Sequence, residues 1–170
     1  MVHGDERGFF VETYGLEAYE AIGISVAFVQ DNHSRSSRDA LRGLHYQRHP
    51  GQAKLVRAAR GAIWDVAVDI RVGSPTFGEF EAFELDDVMH RQLFVPIGFA
   101  HGFCVLSEVA DVAYKVSSPY DATEERGVAW DDPDLAIPWP ATTPLLSERD
   151  RKNPTLASIP REDLGSEPRS

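Results

Sequence analysis

Four side chains in this sequence have the types and neighbours needed to move a proton: His45, Lys54, His101 and Tyr114. His45 stands in Leu41-Arg-Gly-Leu-His-Tyr-Gln47, and Lys54 in Ala53-Lys-Leu-Val-Arg57, with Pro50 and Gly51 in the loop between. Neutral imidazole, with a reference pKa of about 6.5, is the usual proton acceptor near neutral pH. A lysine among apolar neighbours costs free energy unless something faces it, so Lys54 requires either a partner carboxylate or a substrate oxyanion. His101 lies in Phe94-Val-Pro-Ile-Gly-Phe-Ala-His101, beside the turn formers Pro96 and Gly98. Tyr114 shares a strand face with Val112 and Val116, where it is either a core side chain or one with a chemical role. Arg7 and Arg42 each stand beside a glycine, and with Lys54 they form a set able to grip a phosphate. Tyr120, in a loop with Pro119, either stacks on a base or shields the core. Asp65 and Asp69 occupy the less apolar face of their strand and are candidates to line the same pocket.

These residues must be positioned mainly by strands. Leu41 to Gln47, Ala53 to Ala59, Ile63 to Ile70, Glu79 to Leu85, Gln92 to Val95, Phe103 to Leu106 and Val109 to Val116 read as short strands, several with period-two alternation. Val26 to Asn32 reads as a further strand, followed by a polar loop from Ser34 to Asp39. Leu16, Tyr19 and Ile22 have helical spacing and end at Gly23, so one short helix is expected there. Gly4 to Gly8 reads as a turn leading straight into Phe9, and Gly73 to Gly78 as another turn. About eight strands at this spacing predict an all-β sandwich or barrel, in one domain over 1–170. The chain becomes irregular after Tyr120. Its C-terminal tail, from about 141, is expected to wrap the surface or fray.

Composition narrows the function. With 170 residues the chain suits one domain with a substantial core. The net charge of -10 argues against a general nucleic-acid or membrane-surface binder, because those need a basic face. An anionic substrate then needs a local basic cluster working against the global field. Cys104 is the sole cysteine, in an apolar run, and reads as a small buried hydrophobe. No apolar run reaches the roughly 18 residues of a membrane span and no signal peptide opens the chain, so a cytoplasmic enzyme is expected.

A Pro-x-Gly-x-x-His segment after an earlier histidine-bearing strand resembles the paired motifs of the cupin jelly roll. Where a metal-binding cupin has its second histidine, this chain has Gln47, and Lys54 stands on the next strand. A fixed ammonium is a poor neighbour for a divalent cation, so a metal-free pocket is expected. More specifically, ordered motifs resemble the dTDP-4-dehydrorhamnose 3,5-epimerase family. They are Gly4-Asp-Glu-Arg-Gly-Phe-Phe10 with Glu12, Val29-Gln-Asp-Asn32, Leu41-Arg-Gly-Leu-His45, Lys54-Leu-Val-Arg57, Asp65-Val-Ala-Val-Asp-Ile-Arg71, Pro96-x-Gly-Phe-Ala-His-Gly-Phe103, Tyr114-Lys115 and Leu146-Ser-x-x-Asp150.

The resemblance implies a homodimeric cupin with one or two short helices and no cofactor. It implies epimerisation at C3 and C5 of a thymidine-diphospho 4-keto-6-deoxyhexose on the way to an L-deoxysugar. Position by position, it makes His45 the base and Asp150 its orienting carboxylate. Tyr114 becomes the acid on the other side of the ring, and Lys54 faces the C4 oxygen. Arg7, Glu12, Gln30, Asp31, Asn32, Arg42, His101, Glu125 and Arg149 would bind substrate, and Tyr120 would stack on thymine. A regiospecific 3- or 5-epimerase is the close alternative, and a non-catalytic sugar-nucleotide or metal-binding cupin the alternative of another class. The family usually carries one or two strands ahead of the Arg7 motif, so an exposed sheet edge is expected there.

Overall fold

Period-two patterning dictates two facing sheets, and the strands that supply them are described by a computed structural model over residues 1–166. In chain order they are β1 (Val2–Asp5), β2 (Gly8–Val11), β3 (Gln30–Ser37), β4 (Leu41–Gln47), β5 (Lys54–Arg60) and β6 (Ala62–Asp69). There follow β7 (Arg71–Val72), β8 (Phe80–Asp86), β9 (Gln92–Val95), β10 (Phe99–Val105), β11 (Val109–Val116), β12 (Glu125–Gly127) and β13 (Gly165–Ser166). The helix α1 (Leu16–Glu20) lies between β2 and β3. Five strands form one sheet in the order β12-β4-β10-β6-β8, and four form the other in the order β3-β11-β5-β9. This is the jelly roll expected of a cupin barrel.

Alternate residues of the five-stranded sheet serve two different cores. Val56, Ala58, Ile63, Leu85, Val95, Phe103, Val105, Ala110 and Val112 fill the space between the sheets. Leu44, Tyr46, Val66, Val68, Ile70 and Ala100 point out of the back of the five-stranded sheet, where Val128, Leu135, Ile137, Leu156, Ile159 and Leu164 cover them. The tail is therefore a packed layer of the fold and not a fraying end. Its conformation is set by apolar residues too widely spaced to read as strand or helix, together with the buried Asp132 carboxylate. That carboxylate accepts the Leu156 N–H at 2.6 Å and the Leu135 N–H at 3.2 Å. Leu156→Ala is expected to destabilise the protein by about 2–4 kcal/mol, the usual cost of a buried leucine truncation. The midpoint of urea unfolding measures it; an unshifted midpoint would mean the tail is a passive cover.

Strand bounds differ from the sequence reading at several places, among them β3, which starts at Gln30 and not Val26, and β10, which starts at Phe99 and not Phe103 and so carries His101; two further differences have a plain physical reason. Ser34 to Ser37 of the polar stretch form the second half of β3, because the Ser34 and Ser36 backbone groups pair with β11 while the strand stays at the sheet edge, where polar side chains are tolerated. Gly4 to Gly8 is the end of a two-stranded hairpin, with Val2 paired to Val11 and Asp5 to Gly8. One glycine is demanded by the barrel itself. Gly43 has φ of 115°, and a Cβ there would lie 2.6 Å from the Gly102 Cα, where β4 passes β10 at a register shift. No helix among the described residues is long and apolar enough to cross a membrane.

Candidate active site

Antiparallel partners share a face, so strand register alone sorts the candidate residues. Gln30, Val116, Lys54 and Val95 form one inward row across the four-stranded sheet, and Asn32, Tyr114, Val56 and Leu93 the next. On the facing sheet, His45 pairs with His101, which pairs with Ala67. His45, Lys54, His101 and Tyr114 thus come from opposite walls into one cavity of about 300 Å³, lined also by Ser34, Arg42, Phe103, Ser147, Arg149 and Asp150.

Both imidazoles in that cavity are held by carboxylates. His45 Nε2 lies 2.5 Å from Asp150 Oδ1. An ionised carboxylate accepts only, so the Nε2–H donates, and in a neutral ring the lone pair then sits on Nδ1. Burial pushes the Asp150 carboxyl up, but the bonds from His45 and Ser147 and the charge of Arg149 outweigh it and hold the group below the usual carboxylate range. His101 Nε2 lies 2.8 Å from Oδ1 of Asp65, a carboxylate with no exposure.

Lys54 reaches across the cavity and donates to the His45 carbonyl at 3.3 Å. Burial pushes its ammonium down to about 8, against the opposing pull of Glu125 and Asp65. The electrostatics therefore leave a cation that is short of partners, the condition under which an oxyanion is bound most strongly. Tyr114 is shifted the other way. Burial and then the Glu125 charge raise its hydroxyl above the ordinary tyrosine value, which keeps it a proton donor at neutral pH.

The mouth of the cavity is polar and acidic-basic by turns. Arg149 donates through Nη1 to Glu125, and Arg42 donates through Nε to Ser36 Oγ at 3.0 Å. Gln30 donates to Asn32 Oδ1 at 2.8 Å and accepts the Tyr120 N–H at 3.0 Å. Gln47 is spent on the loop carrying Tyr120: it donates to Ser118 Oγ at 3.0 Å and accepts the Asp121 N–H at 3.1 Å. Tyr120 itself is 55% exposed at the rim, free to present a ring face.

Gln30, Asn32, Tyr120 and Glu125 fall outside the cavity lining but are bonded to one another or to Arg149, and three further residues expected to touch a ligand lie elsewhere. Asp31 alternates with Gln30 and Asn32, so it faces outward and accepts from Lys115 Nζ at 2.7 Å. Arg7 sits in the turn of the β1–β2 hairpin, its side chain 89% exposed and paired with Asp5. Glu12, just past that hairpin, is exposed and also outside the cavity lining. Asp69 is likewise taken up locally, with Arg71, Ser74 and Thr76 all donating to it. Ser34, Phe103 and Ser147 line the cavity without having been singled out. The period of two on β3 and β10 marks the first two, since each falls in step with Asn32 or His101. The Ser-x-x-Asp spacing marks the third, because a serine three residues before an aspartate can bond it locally.

The family whose sequence profile matches residues 1–158 is described as dTDP-4-dehydrorhamnose 3,5-epimerase. The chain is 53% identical to the dTDP-4-dehydrorhamnose 3,5-epimerase of Pseudomonas aeruginosa, over 92% of this chain and 87% of that one. It is 47% identical to the dTDP-4-dehydrorhamnose 3-epimerase of Streptomyces niveus, over 90% of this chain and 75% of that one. Its fold superposes with a TM-score of 0.96 on the 3,5-epimerase of Legionella pneumophila solved with dTDP-4-keto-L-rhamnose, at 46% identity, covering 99% of this chain and 91% of that one.

Proposed function

This chain belongs to the dTDP-4-dehydrorhamnose 3,5-epimerase family, and from that membership we propose that it inverts C3 and C5 of thymidine-diphospho 4-keto-6-deoxy-D-glucose. The observation that carries the assignment of roles is the convergence of His45, Lys54 and Tyr114 from facing sheets on one cavity. Both carbons lie beside the C4 ketone, so the proton on each is acid enough to remove once the enolate oxygen is stabilised. His45 takes the proton through Nδ1, the C–H electron pair moves into the ring, and the Lys54 ammonium meets the charge on O4. Tyr114, on the opposite wall, returns a proton to the other face. The imidazolium and phenolate then exchange with water, and no redox equivalent is needed. Arg42, Arg149, Gln30 and Asn32 surround the mouth where the diphosphate and base lie, with Tyr120 stacked on the pyrimidine.

Deuterium uptake from heavy water, read at both carbons by NMR, tests this reading. Label at C3 and C5 is expected; label at a single carbon would make the enzyme a monoepimerase, and label at neither would remove the chemistry. Tyr114→Phe is expected to yield no inverted product while still exchanging a proton at a carbon reprotonated from the same face. Normal turnover by that variant would move the acid elsewhere.

The working unit is a homodimer. Supporting this, among the described residues β1 and β2 pair only with each other and leave Phe9 and Phe10 60% and 70% exposed. A second copy is the partner that covers such a face, and the same hairpin carries Arg7, which finds no substrate position in its own chain. Light scattering is expected to give twice the 18.9 kDa chain mass at micromolar concentration; the monomer mass would remove the dimer.

A further inference from the structure

We infer that Ser147 is a positioning residue for the epimerisation, completing a Ser147–Asp150–His45 relay that fixes which imidazole nitrogen is free to act as base. This rests on the base role proposed above for His45. Asp150 lies on the C-terminal segment, outside the strands, and opens a single 3-10 turn over Asp150–Lys152. Nothing in strand register places it, so something local must.

Ser147 supplies that frame in two bonds. Its hydroxyl donates to Asp150 Oδ2 at 2.8 Å and accepts the Asp150 N–H at 3.0 Å. The carboxylate can then neither spin about its terminal torsion nor lift off with the backbone, and Oδ1 is left pointing at His45 Nε2. The frame is also registered on the strand that carries His45. Two residues before Ser147, Leu145 accepts the Leu41 N–H at 3.0 Å and donates its own N–H to the Asp39 carbonyl at 2.8 Å. Both ends of the relay therefore hang from β4: Leu41 holds the tail, and His45 receives the carboxylate. A serine with only a structural task at this rim would not need to face the second carboxylate oxygen. A carboxylate that orients an imidazole acts by selecting one tautomer, as in catalytic triads.

The test uses the full-length protein with Ser147→Ala and Ser147→Thr. Ser147→Ala is expected to lower kcat for deuterium exchange about tenfold, the usual worth of a hydrogen bond to a charged group, with KM changed less than about twofold. Long-range proton–nitrogen NMR of the His45 ring is expected to show the Nε2–H tautomer in the parent protein and a mixture in Ser147→Ala. Ser147→Thr keeps the hydroxyl and is expected to restore both readouts. A parent-like tautomer in Ser147→Ala overturns the inference, as does a loss of rate that Ser147→Thr does not restore. The tautomer measurement does not depend on turnover. If His45→Ala kept full exchange, the base assignment would fall while the NMR result still decided whether Ser147 orients the ring.

Discussion

Replacing His45 by alanine is expected to slow deuterium exchange at both carbons by about ten-thousandfold, the upper range for a general base. His101, its strand partner, is held in the same way with Nε2 on buried Asp65, so a residual rate above that level would measure how far it substitutes. Binding of thymidine diphosphate, measured by calorimetry, should be nearly unchanged, since the groups at the mouth are untouched. Exchange at the parent rate would remove His45 from the base role.

Lys54→Met is expected to cost roughly a hundred- to a thousandfold in kcat, the range seen when a preorganised oxyanion donor is deleted. Stability should hold or rise in the same variant, because methionine fills the space of the lysine stem without a buried charge. That separation distinguishes a lost catalytic cation from a damaged core. A second signature comes from pH. With the ammonium held down to about 8, the free enzyme loses its cation as pH rises through that value. So kcat/KM should fall about tenfold per unit above it. Tyr114 does not supply this limb, since burial moves its hydroxyl above the ordinary value. In Lys54→Met the limb should vanish along with most of the activity. A limb that persists would belong to another group, and an unaffected kcat would leave the enolate without its stabiliser.

The strands that build the cavity were largely legible in the sequence, and β4, β9 and β11 have the expected bounds. Their alternation is enforced by burial on both faces or one, which is a local property of the residues. The outward turn of Asp31 was readable by the same rule, since its neighbours Gln30 and Asn32 face in. The family motif obscured it by treating three consecutive residues alike, which a pleated strand cannot do. Polar β3 was not legible as a strand in its second half, because its backbone is satisfied by β11 and not by any feature of its own side chains.

By itself the sequence determined a metal-poor donor set, an acidic background with a small basic cluster, and the alternating faces of the strands that carry His45 and Tyr114. Those follow from residue type and a period of two. Only the tertiary structure decided how Asp150, more than a hundred residues from His45, is brought to its ring with Ser147 bonded behind it, and that Arg7 does not reach the cavity of its own chain. Long-range closure depends on how the tail's scattered apolar residues pack across the back of a sheet. No local pattern encodes that packing, because its energy exists only once the sheet is there to be covered.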